Sequence, residues 1–110
     1  MLIRKFILAG MFALLALAGG VQAGGNAERG AKLVEDCVSC HGHDGKGNFE
    51  TPAIAGLEEA YIYQQLKDFS SGKRASMDGI MHLYTVERND RDKSDLAAYW
   101  SSRKPEELDP

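Results

Sequence analysis

The chain has 110 residues but only two cysteines, one tryptophan and three prolines. The cysteines, Cys37 and Cys40, stand as C-x-x-C. A disulfide between them would close a very short loop and add little stability through loop entropy. A structural zinc site takes four nitrogen or sulfur ligands, so His43 and His82 would have to complete one here. A redox dithiol of the thioredoxin kind belongs in an α/β setting, and the sequence has no alternating strand pattern and no Asn-Gly hairpin turn. There is no excess of basic residues either. Lys and Arg number 13 against 16 Asp and Glu, a net charge of −3. That balance argues against nucleic acid and suits a partner with a basic docking patch. Repeats and low-complexity segments are absent. No nucleophile–base pair or paired-carboxylate motif stands out, so no catalytic residue is expected. His43, Asp44 and Lys46 in "GHDGKG" read as a solvated turn.

The longest apolar run is at the N-terminus. "MLIRKF" carries Arg4 and Lys5, and the uncharged "ILAGMFALLALAGGVQA" follows. It is shorter than the roughly 20 residues of a spanning helix and ends in Val21-Gln22-Ala23. This is the three-part pattern of a secretory signal peptide. It predicts cleavage after Ala23, export to the periplasm and no stable membrane insertion afterwards. The residue directly after the expected cleavage point is Gly24 and not a cysteine, so a lipidated N-terminus is not expected there. Loss of Arg4 and Lys5 makes the remainder more acidic. That remainder is one domain, 24–104, with a flexible tail at 105–110. It is small enough that a lone hydrophobic core leaves little surplus stability.

Three helical patterns are legible, and the class is all-α. In "NAERGAKLVEDCVSC" Asn26 is the expected N-cap, and Gly30, Leu33, Val34 and Cys37 share one face. A glycine inside a helix costs about 1 kcal/mol against alanine, so Gly30 implies close approach of another helix. In "LEEAYIYQQLKDFSSG" Ile62, Leu66 and Phe69 form a buried stripe, and Gly72 is the stop. In "NDRDKSDLAAYWSSR" Asn89 caps, with Asp92 placed to complete a capping box. Leu96, Tyr99 and Trp100 form that helix's apolar face. "GKRASMDGIMHLYTVER" includes a short helix at most. The expected core is thin: Ile54, Leu57, Ile62, Leu66, Phe69, Ile80, Leu83, Val86, Leu96, Tyr99 and Trp100.

A haem would give that core a large flat body to pack on. "CVSCHGHDGKG" supplies the means. Cys37 and Cys40 lie on neighbouring parts of one helical face and can each form a thioether to a haem vinyl carbon. His41 follows directly and can reach the iron. This points to one covalent haem c, iron included, as cofactor. A soft thioether is the expected second axial ligand. Outside the expected signal peptide the methionines are Met77 and Met81, and His82 is a third candidate.

The chain resembles class I c-type cytochromes, in particular the small bacterial periplasmic monohaem kind and single units of the tandem dihaem proteins. The resemblance rests on "GAKLVEDCVSCHGHDGKG", "TPAIAG", "YIYQQLKDFSSGKR", "MDGIMHLYTVERND" and "DLAAYW". It implies a cytochrome c fold, three main helices and loops wrapped round the haem. It also implies Met81 as iron ligand, eight residues before the cap Asn89, with Met77 the other candidate. Pro52 would offer its carbonyl to the His41 ring, and Gly30 and Leu33 would pack against Tyr99. The implied function is a one-electron carrier, not an enzyme, monomeric between encounters with redox donor and acceptor proteins. The alternative is a cytochrome subunit of a periplasmic oxidoreductase such as a flavocytochrome sulfide dehydrogenase, which the "GKRAS" run resembles. A permanent partner would cover Tyr61, Tyr63 and Tyr84. A ligand-binding haem with an open distal side is a third reading; it requires that neither methionine binds iron.

Overall fold

The structure, a computed structural model, describes residues 24–104. The expected signal peptide, 1–23, and tail, 105–110, lie outside the described residues. Among the described residues five helices follow one another: α1 (Ala27–Ala31), α2 (Glu35–His41), α3 (Glu59–Ser71), α4 (Ile80–Thr85) and α5 (Asp90–Ser102). A 3-10 turn, Met77–Gly79, leads into α4. The described residues contain no strand, and none of their helices is long and apolar enough to cross a membrane.

The first pattern is one helix in sequence but two in the fold. The Leu33 carbonyl accepts from Arg88 Nη2 at 3.3 Å. The Cys37 N–H turns to the Val34 carbonyl instead, at 2.8 Å. Lys32 N and Leu33 N likewise donate three residues back, to the Arg29 and Gly30 carbonyls at 3.1 and 2.9 Å, and these tightened, 3-10-like turns separate α1 from the cysteine-bearing α2. The second and third patterns hold. Gly72 ends α3 in the left-handed region with φ 85°, and Asn89 caps α5 by accepting from the Asp92 N–H at 2.8 Å. The reciprocal half of the capping box does not form, because the Asp92 carboxylate pairs with Arg29 at 2.9 Å.

The frame is α1 and α3 packed on α5. Gly30 is where α1 meets α5. A Cβ there would stand 2.1 Å from the Asp95 carbonyl oxygen and 2.9 Å from Tyr99 Cβ, so only glycine allows the approach. Leu33 and Tyr99 both pack on the core formed by Val34, Ala55, Ile62, Leu96, Ala97 and Trp100. Leu57, Ile80, Leu83 and Val86, expected in the core, are exposed. Leu57 and Ile80 line a cleft beside it instead, and Leu83 borders a separate, largely polar hollow with Asp36 and Glu87.

A buried carboxylate closes the α1–α5 contact. Asp95 accepts from the Asn26 N–H and from Arg29 Nη1, both at 2.7 Å. The Asn26 backbone N–H, then the Arg29 guanidinium, hold its pKa below the ordinary carboxylate value. A depressed carboxylate stabilises the fold fully above its unfolded pKa of about 3.9 and loses that contribution as pH falls through the folded value. Asp95→Asn is therefore expected to cost about 1.5–3 kcal/mol at pH 7, the usual range for hydrogen bonds to a charged group. The gap from wild type should close as pH falls through the lowered folded value. Denaturant melts at pH 7 and in acid check both statements.

Candidate functional site

The cleft of about 500 Å³ is bordered by Cys37, Cys40 and His41 of α2, by Ile62, Leu66 and Phe69 of α3, and by Met77 and Met81. Trp100 of α5 lies at its base, 2% exposed. It packs edge-on to Tyr99 with ring centroids 5.0 Å apart.

Trp100 also anchors the loop after α2. Its carbonyl accepts from Gly56 N at 2.9 Å. A Cβ on Gly45 would stand 2.7 Å from its ring, at a backbone φ of 71°. The loop closes on itself through Ile54 N to the Gly45 carbonyl, 2.8 Å, and Gly47 N to the His41 carbonyl, 2.8 Å. Asn48 Oδ1 accepts from the N–H groups of Glu50 and Thr51. These bonds bring the Pro52 carbonyl to 2.8 Å from His41 Nδ1. The buried imidazole is thus the donor at Nδ1, and Nε2 carries the free lone pair.

Burial pushes the Cys37 thiol up, a shift that Trp100 partly offsets. A reactive dithiol needs the opposite, a lowered pKa in an electropositive setting. Among the described residues no three His, Cys, Asp or Glu side chains gather as a metal cluster, which is what the zinc reading needed. His82 does not line the cleft, and its Nδ1 lies 3.0 Å from the Phe69 carbonyl. His43 is exposed and Asp44 half-buried in a turn where Asp44 Oδ1 accepts from Lys46 N at 3.0 Å; "GHDGKG" is the turn expected, though less solvated than the sequence suggested. Tyr61 and Tyr84 line the cleft. Tyr63 does not belong with them: it packs on the core, with Lys67 Nζ 5.3 Å from its ring centroid.

The methionines differ. Met77 is 72% exposed, while Met81 is half-buried. Asp78 and Gly79, with φ of 58° and 67°, reverse the chain between them. The Met81 N–H then donates to Ser76 Oγ at 2.9 Å, and its carbonyl accepts from the buried Thr85 hydroxyl at 2.7 Å.

Two thiols, an oriented imidazole and thioethers round an apolar cleft make a donor set suited to haem c. The family description "Cytochrome c" matches residues 27–104. The chain belongs to the cytochrome c family. Family members carry haem c bound covalently through cysteines, and here the two cysteines are Cys37 and Cys40. The chain is 35% identical over 101 residues to cytochrome c4 of Pseudomonas aeruginosa, covering 89% of this chain and 48% of that one. It is 32% identical over 82 residues to cytochrome c-554(548) of Halomonas halodenitrificans, covering 73% of this chain and 99% of that one. Its fold is similar to part of the thiosulfate dehydrogenase of Marichromatium purpuratum, with TM-score 0.69 and 27% identity over 74% of this chain and 20% of that one. The chain spans about half the length of the cytochromes c4 it matches.

Arg74 entered the expectations from sequence only within longer runs such as "GKRAS" and was given no role of its own. It lines the cleft. Only its place in "GKR", just past the stop of α3, could have drawn attention to it.

Proposed function

We propose that this chain is a periplasmic one-electron carrier whose single haem, attached through Cys37 and Cys40, has His41 and Met81 as axial ligands. The observation that carries the reading is the turn Cys37–His41 on an apolar cleft, with the ring fixed through Nδ1 by the Pro52 carbonyl at 2.8 Å. The haem, when bound, supplies an iron that cycles between ferric and ferrous states. The chain's own residues set the conditions. The Pro52 carbonyl orients the imidazole and makes it a stronger donor. Met81 contributes a soft thioether, which favours the ferrous state. Ile62, Leu66, Phe69 and Trp100 keep water from the cleft. The helices on α5 keep this geometry fixed, which keeps reorganisation small. Held by His41 and Met81, a haem iron would offer no position to a substrate, and electron exchange would be the chemistry it supplies.

Export follows from the "MLIRKF…VQA" pattern. Intact mass of the protein from the periplasm should show a chain beginning at Gly24 plus one haem. A mass retaining residues 1–23, or lacking haem, counts against this. The acidic balance implies a donor or acceptor with a basic patch, whose association slows as salt screens the attraction within about 8–10 Å. The similarity to a portion of thiosulfate dehydrogenase favours a second reading, a cytochrome partner of a larger periplasmic oxidoreductase. It does not single out the flavocytochrome sulfide dehydrogenase of the sequence-based alternative. Purification from the native periplasm separates the two. A monomer eluting alone supports the carrier; stoichiometric co-elution with an oxidoreductase through high salt overturns it.

A further inference from the structure

We propose that Arg74 binds a haem carboxylate, and that Gln65 and Phe69 hold its guanidinium ready for it. The inference rests on the haem reading of the cleft. A haem c carries two propionate groups on the edge of the ring away from its thioether carbons. Charge brought against an apolar wall must be paired or hydrated. Among the described residues, the charged ones lining the cleft, apart from His41, are Asp36, Glu50, Asp78 and Arg74. Three of them would repel a carboxylate, so Arg74 is the one cation placed to receive it.

Its side chain is held in position by neutral groups. Nη1 donates to Gln65 Oε1 at 2.7 Å. The guanidinium carbon lies 4.6 Å from the centre of the Phe69 ring. Both neighbours line the cleft themselves. The backbone fixes the base of the side chain: past the left-handed Gly72, Arg74 N donates back to the Asp68 carbonyl at 3.1 Å. No carboxylate of the described residues forms an ion pair with it, whereas Arg29, Arg88 and Arg91 are each committed to aspartates. An amide and a ring leave its charge unneutralised and other N–H groups of the fork free. A planar fork of that kind matches a carboxylate in bidentate fashion, which a lysine cannot do.

The test uses the haem-loaded protein and the variants Arg74→Gln, Arg74→Lys and Gln65→Leu. Intact mass first establishes one haem per chain. A wild type without haem overturns the haem reading and this inference with it. Resonance Raman bands of the propionate groups and the midpoint potential are then read. Arg74→Gln is expected to shift the propionate bands and lower the potential, because a cation beside the haem favours the less positive ferrous state. Arg74→Lys should retain most of the potential, since the charge remains, yet still shift the bands, since the fork is lost. Gln65→Leu should shift the bands in the same direction by less. Thioether attachment keeps the haem on each variant, so a loosened fold does not prevent the reading. Propionate bands unchanged in both Arg74 variants, with haem present, overturn the inference and leave the haem reading standing. The same holds if Lys and Gln lower the potential equally, which marks a packing role for Arg74.

Discussion

Replacing both Cys37 and Cys40 with alanine is expected to give a chain without covalent haem that is largely unfolded. Among the described residues the buried core is small: Trp100 is its one fully buried large side chain, and three of the other seven buried apolar residues, Ala55, Ala97 and Ala98, are alanines. A domain of this size has little stability to spare. Its apolar side chains divide between that core and the cleft, where Leu57 and Ile80 remain exposed. A bound haem packs on the second group. A ligand at about 1,000 times its Kd contributes about 4 kcal/mol, a large part of the 5–15 kcal/mol that holds a typical domain together. The thioethers keep the haem at the cleft however dilute the protein is. Without them that contribution depends on free haem. Each single replacement should leave one thioether and a partly loaded population. Intact mass reads the attachment, and far-ultraviolet circular dichroism reads the helices. A double variant with full helical signal and no haem would mean that the core built round Trp100 and Leu96 suffices alone.

How much of this was legible in sequence depended on how local each determinant is. Asn26, Gly72 and Asn89 act within a few residues of themselves, and all three helix ends fall where these residues put them. Gly30 announced a close contact because a glycine inside a helix needs a reason. The break after α1 was not legible. There the Leu33 carbonyl accepts from Arg88, 55 residues away, a partner that the local sequence does not reveal. The capping box at Asn89 failed for the same kind of reason, since Arg29 of another helix takes the Asp92 carboxylate. Leu83 and Val86 have the composition of core residues, yet the turn at Asp78 and Gly79 sets α4 so that they face outward. In the site, Cys37, Cys40 and His41 were readable because their spacing is the chemistry. Arg74 was not, because nothing local marks a surface-type arginine that Gln65 and Phe69 turn towards a cleft.

Met81→Ala is expected to remove the sulfur–iron charge-transfer band of the ferric protein and to lower its reduction potential, while Met77→Ala does neither. Both side chains border the cleft, so proximity does not choose between them. Their backbones differ. Met77 opens a 3-10 turn, is 72% exposed and is followed by the left-handed Asp78. Met81 lies in the first turn of α4, half-buried, with its N–H on Ser76 and its carbonyl on the buried Thr85. An axial ligand must return to one position in both oxidation states, and the pinned residue loses less conformational freedom in doing so. The resemblance to c-type cytochromes points to the same residue through its eight-residue offset from Asn89. Loss of a thioether removes a soft ligand that favours ferrous iron. The fall in potential should be a sizeable part of the roughly 0.8 V over which axial ligands tune haem proteins. Ferric absorption spectra and a redox titration of the two single variants decide the matter. If Met77→Ala is the damaging change, the ligand belongs to the 3-10 turn and not to α4. If neither variant alters the band or the potential, neither methionine binds iron, and the open distal site becomes the reading to pursue.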